Sequence, residues 1–319
     1  MTTTTTTTTA TTATADMVTA AGRAGTTGPT ASPTGAPAGT AAGSLRDTTD
    51  RPTGYVHGYS EAEAVRLGDQ ANTLVELLHA GTAYPPGSRV LEVGCGVGAQ
   101  TVHLLAANPG MHLTAVDVSA DSLAQARARV AALAPGARVD WHHGDLHRLP
   151  FVDGSFDHLF VCFVLEHLAD PPAALAALRR VLRPGGTITV VEGDHGSTFF
   201  HPESGAARAT VDHLVRLQTL AGGDGLIGRR LHPLLTGAGF RDVTVRPRAV
   251  YADGSRPELV QGFTRRTFLA MVESVRAEAL AADLTTAEAF DRGIADLRRT
   301  AEEGGTFHYT FFKALAVRP

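Results

Sequence analysis

The first residues with the chemistry to bind a ligand lie in the stretch RVLEVGCGVGAQ, residues 89–100. A short apolar run containing Glu92 leads there into Gly94, Gly96 and Gly98, and a helix-like segment follows. Glycines let the backbone approach a ligand closely and adopt positive φ. A strand, a glycine turn and a helix in this order form an arrangement that commonly binds nucleotides. Such a site lies at the carboxyl end of a parallel strand, beside a helix N-terminus.

A carboxylate follows at the end of the next apolar run, where residues 112–116 predict a strand that leads into Asp117. Its spacing from the glycines is about that expected for a contact to a ribose. Two ligands stay open on this pattern alone. A dinucleotide is one, because Gly94, Gly96 and Ala99 satisfy G-x-G-x-x-G/A, and a nucleoside-based methyl donor is the other.

Candidate acid–base groups follow two further apolar runs. Glu166 and His167 follow the run that ends in FVCFVL, and Asp194 and His195 follow the run TITVVEG. Enzymes of the α/β class place reacting groups at the carboxyl ends of strands, so Glu166, His167 and His195 are candidates for proton handling or substrate orientation. The alternative for each is a structural role in fixing the adjacent loop.

Other polar residues give weaker indications. The adjacent His142 and His143 point to opposite faces of a predicted strand and cannot easily share an ion, so no metal site is expected. Arg229 has a side chain suited to an anionic substrate group, and the alternative is a position on a solvated helix face. Tyr55 and Tyr59 precede the first helix and are candidates to cover the substrate, or else to pack that helix onto the core.

The elements that position these residues follow from periodicity and turn signals. Strands are predicted at about 89–93, 112–116, 138–142, 156–165, 187–191, 243–250 and 309–317. Helices are predicted after Ser60, at 100–107, 120–133, 171–182, 203–220 and 227–236, and within 257–302. Ser119 is the expected N-cap of the helix 120–133. This alternation predicts an α/β fold, a Rossmann-like, seven-stranded, mostly parallel sheet with helices on both faces and a helical insert before the last strand.

Composition divides the chain. Residues 1–52 are rich in Thr, Ala, Gly and Pro, so a disordered tail is expected, and they lack the basic start and apolar run of a secretory signal. Residues 53–84 are expected to form a helical lid and 85–253 the α/β core. Residues 254–305 are expected to form a helical cap or interaction surface, and 306–319 the final strand of the core sheet.

Charge and cysteine content exclude several classes of function. A net charge of −4 gives no reason to expect nucleic acid or an anionic membrane as a partner. Cys95 and Cys162 form no C-x-x-C motif, so a disulfide framework is unexpected and a cytoplasmic location fits. No stretch is long and apolar enough to span a membrane. The Phe-rich last strand leaves two options open, pairing within the sheet and a contact in a homodimer.

Four segments together resemble one superfamily: VLEVGCGVGAQT, TAVDVS, GDLHRLPFVDGSFDHLFVCFVLEHL and LRRVLRPGGTITVVEGD. They cover about residues 86–194, and their order and spacing resemble the class I S-adenosylmethionine (SAM)-dependent methyltransferases. The group with the ubiquinone and menaquinone C-methyltransferases and many small-molecule methyltransferases is the most similar. A dinucleotide enzyme is not expected to carry both SFDHLFVCFVLEHL and LRPGG.

The resemblance implies roles for the residues at matching positions, with SAM as the cofactor. Asp117 would bind the ribose hydroxyls, Asp145 the adenine amino group, and Val118 the adenine face. The remaining implied contacts, mostly to the methionine portion, come from Glu92, Gly94, Gly96, Gly98, Gln100, Thr101, Leu146, Cys162 and Phe163. For Asp117 and Asp145 the alternative is a capping role in a turn or helix.

The expected function is methyl transfer from SAM to a small organic acceptor, in specialised metabolism. The N/D-P-P-Y/F motif of amino-group methyltransferases is not found after the fourth strand, where the chain reads FVLE. Carbon, nitrogen and oxygen acceptors all stay open. The alternatives are a protein or peptide methyltransferase that docks its partner on the helical insert, and a SAM-binding protein without turnover.

Overall fold

The computed structural model describes residues 61–319. Its strands are β1 Arg89–Val93, β2 His112–Asp117, β3 Val139–His143, β4 Phe156–Cys162, β5 Leu182–His201, β6 Arg241–Ala252 and β7 Thr306–Val317. Its α-helices are α1 Glu61–His79, α2 Thr101–Ala107, α3 Ala120–Leu133, α4 Pro171–Val181, α5 Gly205–Leu220, α6 Leu231–Gly237, α7 Pro257–Leu259, α8 Ala270–Ser274, α9 Arg276–Ala281 and α10 Ala287–Arg299. Short 3-10 helices cover Leu146–Arg148, Leu165–His167 and Ile227–Arg230, and a π-helix covers Val260–Leu269.

The strands form one sheet in the order β3-β2-β1-β4-β5-β7-β6. Strands β1 to β5 pair in parallel, whereas β7 runs antiparallel to both β5 and β6. The prediction of a seven-stranded, mostly parallel α/β sheet is therefore confirmed. Strand order reverses between β1 and β4, and in such sheets ligands bind at the carboxyl ends of the strands beside that reversal.

Both faces of the sheet centre are buried. In β4, Leu159 and Val161 pack on one face in a cluster that includes Leu175 of α4. Phe160 packs on the other face, in a cluster that includes Leu74 of α1. This burial explains the unbroken apolar run in the sequence of β4, because parallel strands covered by helices on both sides need apolar residues at successive positions.

The end of β4 differs from the prediction. The strand was expected to continue to Leu165, but it stops at Cys162 because Phe163 adopts a positive φ of 58°. The backbone N–H groups of Val164 and Leu165 then donate to Glu192 Oε1, at 3.1 and 2.8 Å. The carboxylate of Glu192 thus binds two backbone groups that would otherwise extend the ladder. As a consequence Glu166 and His167 lie on a 3-10 turn rather than at a strand end.

Two other predicted elements differ from those observed. β5 was expected to end at Val191, but it continues to His201 because Phe199 to His201 pair with β7 after a bulge. The predicted helix 227–236 is split into the 3-10 segment Ile227–Arg230 and α6. Helix α3, in contrast, has the predicted bounds, and Ser119 caps it as expected by accepting from Ser122 N.

Helices α7 to α10 and the π-helix occupy the chain between β6 and β7.

Lys313 of β7 links the sheet to the end of α1. Its ammonium group donates to the carbonyl oxygens of Leu78 at 2.9 Å and Ala80 at 3.0 Å, and to Thr82 Oγ1. The ammonium therefore binds carbonyl groups that the end of a helix leaves unpaired. Lys313 is buried, and it is the only lysine in the sequence.

None of the helices within residues 61–319 combines the length and the apolar character needed to cross a lipid bilayer. In the same residues, no group of three or more His, Cys, Asp or Glu side chains is arranged to hold a metal ion.

Candidate active site

A cavity of about 520 Å³ lies at the carboxyl ends of β1, β2, β4 and β5. The predicted site residues that line it are Glu92, Gly94, Gly96, Gln100, Asp117, Val118, Asp145, Leu146, Cys162, Phe163, Glu166, His167 and His195. Helix α1 and the π-helix supply the wall that faces the sheet, for example through Leu67 and Phe268. The fold thus brings together most of the residues that the sequence proposed.

The three glycines of the β1–α2 loop have different functions. All have positive φ, 64° at Gly94, 52° at Gly96 and 74° at Gly98. A Cβ at Gly98 would lie 3.0 Å from Ala126 of α3, and Gly98 is not among the described residues that line the cavity. A Cβ at Gly96 would meet nothing within 4 Å. Gly98 therefore serves helix packing, whereas Gly96 leaves space at the cavity.

Asp117 closes this loop against the end of β2. Its Oδ2 accepts from Gly96 N at 2.8 Å, and its Oδ1 accepts from Ser119 N at 2.9 Å. Burial raises the pKa of this carboxyl above its ordinary value. Two carboxylate oxygens offer about four acceptor positions, so two remain for a ligand diol. The turn-capping alternative and the ribose-binding role are thus compatible.

Glu92 lies beneath the same loop and is 2% exposed. Its Oε2 has no hydrogen-bond partner among the described residues. Burial raises the pKa of Glu92 to about 8. A buried polar atom without a partner is costly, and a ligand that donates a hydrogen bond or carries positive charge removes that cost. The open space at Gly96 and this oxygen both fit the ammonium-bearing methionine end of SAM.

The residues proposed to contact the adenine, Asp145 and Val118, are more exposed than Glu92 and Asp117. Asp145 caps the turn Leu146–Arg148 by accepting from His147 N at 2.9 Å, and Val118 is half exposed. On the other side of the loop, Gln100 Oε1 lies 2.8 Å from His79 Nε2. Thr101 is fully buried at the start of α2 and is not among the described residues that line the cavity.

Glu166 lies between the two candidate histidines. Its Oε2 is 3.7 Å from His195 Nε2, and its Oε1 is 3.7 Å from His167 Nε2. Gln218 of α5 donates to the same Oε2 at 3.4 Å. Burial lowers the pKa of both histidines, so both imidazoles are neutral at pH 7. The cluster therefore combines a carboxyl group with two neutral bases inside the cavity.

Tyr309 of β7 completes this cluster, although the sequence analysis did not propose it. Its hydroxyl lies 2.9 Å from His195 Nδ1. A Cβ at Gly193 would lie 2.3 Å from that hydroxyl, so a glycine is required for the tyrosine to reach the histidine. His195 and Tyr309 are 114 positions apart. No local spacing reveals such a pair, which depends on the antiparallel pairing of β5 with β7.

Arg229 is placed differently from the substrate-binding role proposed for it. Its Nε and Nη2 donate to the two carboxylate oxygens of Asp194, each at 2.7 Å, and its side chain is 48% exposed. It is not among the described residues that line the cavity. The guanidinium group of Arg229 is therefore paired with Asp194 within the protein. The proposed cover residues Tyr55 and Tyr59 lie outside the described residues.

A glycine loop followed by a carboxylate at the switch point of a Rossmann-like sheet is typical of sites that bind a nucleoside-containing ligand. Residues 91–190 match the family described as a methyltransferase domain. An O-methyltransferase of Pyrenophora dematioidea is 30% identical over 199 residues, which cover 60% of this chain and 70% of that protein. On these grounds the chain belongs to the class I SAM-dependent methyltransferases, and SAM is its methyl donor.

Two other relatives match over smaller shares of their length. An uncharacterised 37.1 kDa protein in a Streptomyces fradiae transposon is 39% identical over 189 residues, 57% of this chain and 52% of that protein. The ubiquinone/menaquinone biosynthesis C-methyltransferase of Paracoccus denitrificans is 38% identical over 106 residues, 33% of this chain and 42% of that protein. The chain thus spans about half or less of these two relatives. The predicted resemblance is confirmed, and the dinucleotide alternative is not retained.

Proposed function

We propose that the protein transfers a methyl group from SAM to a small organic acceptor in specialised metabolism. The observation that carries this proposal is a cavity of about 520 Å³ that is lined both by the carboxyl groups of Asp117 and Glu92 and by the candidate acid–base groups Glu166 and His195. A small molecule fits within such a volume beside the methyl donor. The protein or peptide alternative would instead dock its partner on the helical insert, residues 254–305.

The residues proposed to hold SAM divide by chemistry. Glu92 and the backbone at Gly94 and Gly96 would bind the methionine portion, and Asp117 the ribose. Cys162, Phe163 and Gln100 line the same part of the cavity, and Val118, Asp145 and Leu146 would contact the adenine. Gly98 and Thr101 are proposed to act indirectly, because they pack beneath the loop rather than at the cavity.

Methyl transfer from a sulfonium is an in-line displacement from an already activated donor. The protein must therefore align the acceptor, exclude water and, where needed, accept a proton. Glu166, His167 and His195 are proposed for the last task, since all three line the cavity and each histidine has its Nε2 3.7 Å from a carboxyl oxygen of Glu166. A cytoplasmic location is part of the same proposal, and a homodimer stays open.

The proposal is tested by calorimetric titration of the full chain with SAM, S-adenosylhomocysteine and NAD. The two SAM-type ligands are expected to bind and NAD is not. Asp117→Ala should weaken SAM binding at least tenfold, because it removes charged hydrogen bonds worth about 1.5–3 kcal/mol each. Asp121→Ala is the matched control, since Asp121 is an exposed carboxylate on α3. Binding of NAD alone, or equal SAM affinity in the two variants, would contradict the assignment.

A further inference from the structure

We infer that the part of the cavity beside the π-helix binds a flat, largely apolar acceptor that carries one hydroxyl group, that is, a phenol or an enol. His195 takes the proton of this hydroxyl group, and Tyr309 positions the imidazole of His195. This inference rests on the proposed methyltransferase function. It specifies oxygen as the atom that accepts the methyl group, and phenols or enols as the class of acceptor.

The walls of this subsite are aromatic. Phe263 and Phe268 of the π-helix pack directly on Phe311 and Tyr309 of β7, with the ring centroids of Phe263 and Phe311 5.7 Å apart, and together these rings form one aromatic side of the cavity. Phe163, which has positive φ, turns its ring to within 5.4 Å of Phe311. Aromatic side chains prefer edge-to-face and offset contacts with one another, so a planar ring is the ligand shape that such walls accommodate best.

A nitrogen without a hydrogen-bond partner in the described part of the chain lies between this aromatic side of the cavity and the carboxyl group of Glu166, which is 3.7 Å away. His195 is 4% exposed, and its Nε2 has no hydrogen-bond partner among the described residues. The ring cannot easily turn away, because the Tyr309 hydroxyl lies 2.9 Å from Nδ1 and His195 N donates to Gly225 O at 2.9 Å. Since an unpaired buried nitrogen costs free energy, the missing partner is best supplied by a ligand hydroxyl. Tyr309 is therefore a positioning residue.

His195 can accept the proton that the acceptor hydroxyl loses during methyl transfer. In the tautomer that carries its proton on Nδ1, His195 donates to the Tyr309 oxygen and keeps a lone pair on Nε2. The acceptor oxygen forms the new C–O bond as the C–S bond breaks and sulfur keeps the electron pair. The hydroxyl proton passes to Nε2. The resulting imidazolium faces Glu166 Oε2 at 3.7 Å, and it later releases its proton to solvent.

The surroundings favour a neutral imidazole before the reaction and stabilise its charge afterwards. The titratable and charged groups that face His195 are Glu166, Asp194, His167, Arg66 and Tyr309. Burial lowers the pKa of His195, whereas the carboxyl groups of Glu166 and Asp194 oppose that change. Burial raises the pKa of Tyr309 well above its ordinary value, so its hydroxyl keeps its proton at neutral pH.

The first test compares matched acceptors with the full chain and SAM: 2-naphthol, 2-naphthylamine and 2-methoxynaphthalene, with formation of S-adenosylhomocysteine as the readout. Methylation is expected of 2-naphthol alone. Calorimetric titration of the S-adenosylhomocysteine complex should show that 2-naphthol binds more tightly than its methyl ether. Preferential methylation of the amine or of ring carbon would overturn the inference, as would equal binding of the alcohol and the ether.

Variants then separate the base from its positioning residue. His195→Gln should lower the rate on 2-naphthol by roughly 10²–10⁴-fold, the usual contribution of a general base. It should lower the rate on 4-nitrophenol much less at pH 8, because this phenol is already ionised there. Tyr309→Phe should reduce turnover and move the acid limb of the pH profile, with SAM affinity unchanged. Tyr251→Phe on β6 is the exposed control.

The outcomes also distinguish this inference from the proposed function. Loss of the phenol preference while SAM still binds and another acceptor is methylated refutes only the role of His195 and the hydroxyl acceptor. Failure to bind SAM refutes the proposed function itself. An equal fall in the rates on 2-naphthol and 4-nitrophenol in His195→Gln would assign this histidine a structural role and overturn the inference.

Discussion

Replacing Glu92 by glutamine should change how the stability of the ligand-free protein depends on pH. Glu92 is 2% exposed, and burial raises its pKa from the ordinary 4.5 to about 8. A carboxyl group whose pKa is raised on folding stabilises the protein fully below pH 4.5. That contribution is lost as the pH rises through 8. Glutamine has nearly the same shape but does not titrate, so Glu92→Gln removes the dependence.

The magnitude follows from the difference between the two pKa values. Each pKa unit corresponds to about 1.4 kcal/mol, so about 3.5 units give an upper limit of about 5 kcal/mol. Between pH 5 and 8, the free energy of unfolding of the wild-type protein should fall relative to that of Glu92→Gln by about 1.4 kcal/mol per pH unit at most. The variant is therefore the more stable protein at pH 8, where the wild type must bury a charge.

Urea unfolding of the two proteins at pH 5, 6, 7 and 8, without SAM, measures this difference. Glu76→Gln is the control, because Glu76 is exposed on α1 and its substitution should leave the pH dependence unchanged. SAM should bind the wild type more tightly as the pH rises, since its ammonium group favours the ionised carboxylate. Parallel stability curves for wild type and Glu92→Gln would refute the reasoning, because Glu92 would then have the same pKa folded and unfolded.

Two further predictions concern packing. Gly98→Ala should lower the free energy of unfolding by at least about 1–2 kcal/mol, because alanine at a φ of 74° is strained and its Cβ would lie 3.0 Å from Ala126. The added Cβ of Gly96→Ala meets no atom within 4 Å, so this variant should lower the free energy of unfolding in urea less than Gly98→Ala does. Calorimetry should show that Gly96→Ala loses more SAM affinity than Gly98→Ala. The opposite order in either assay would contradict the roles assigned to the two glycines. Lys313→Met should destabilise the protein by about 1–3 kcal/mol in the same unfolding assay, because it leaves the carbonyl group of Leu78 without its lysine donor, whereas Ala80 O keeps a bond from Arg248. The control Arg246→Met, at an exposed position of β6, should change stability by no more than about 0.5 kcal/mol, and an equal effect of both would refute the capping role.

The sequence was most informative where local pattern determines structure. The unbroken apolar run of β4, the glycine loop after β1 and the Ser119 cap of α3 each depend on neighbours within a few residues. They predicted the sheet, a nucleotide-type site after β1 and the bounds of α3, whereas SAM as the ligand was implied only by the family resemblance. Asp117 was predicted because its position after β2 is set by the same local pattern.

The parts that escaped prediction depend on residues far apart in the chain. β4 ends early because Glu192, 28 positions from Val164, binds the backbone of the following turn. β5 extends to His201 because β7 pairs with it, and the same pairing brings Tyr309 to His195. The pairing of Arg229 with Asp194 also spans 35 positions, so the sequence could not distinguish an anion site from an internal ion pair.

The buried amine of Lys313 can serve as a chemical probe for movement of helix α1. In this chain, amine-reactive reagents have one side-chain target, and the end of α1 covers it. Acylation at Lys313, read by peptide mass spectrometry, therefore measures how often α1 lifts from the sheet. Since α1 also forms a wall of the SAM cavity through Leu67, the rate of this labelling should register ligand entry without a dye or an added probe.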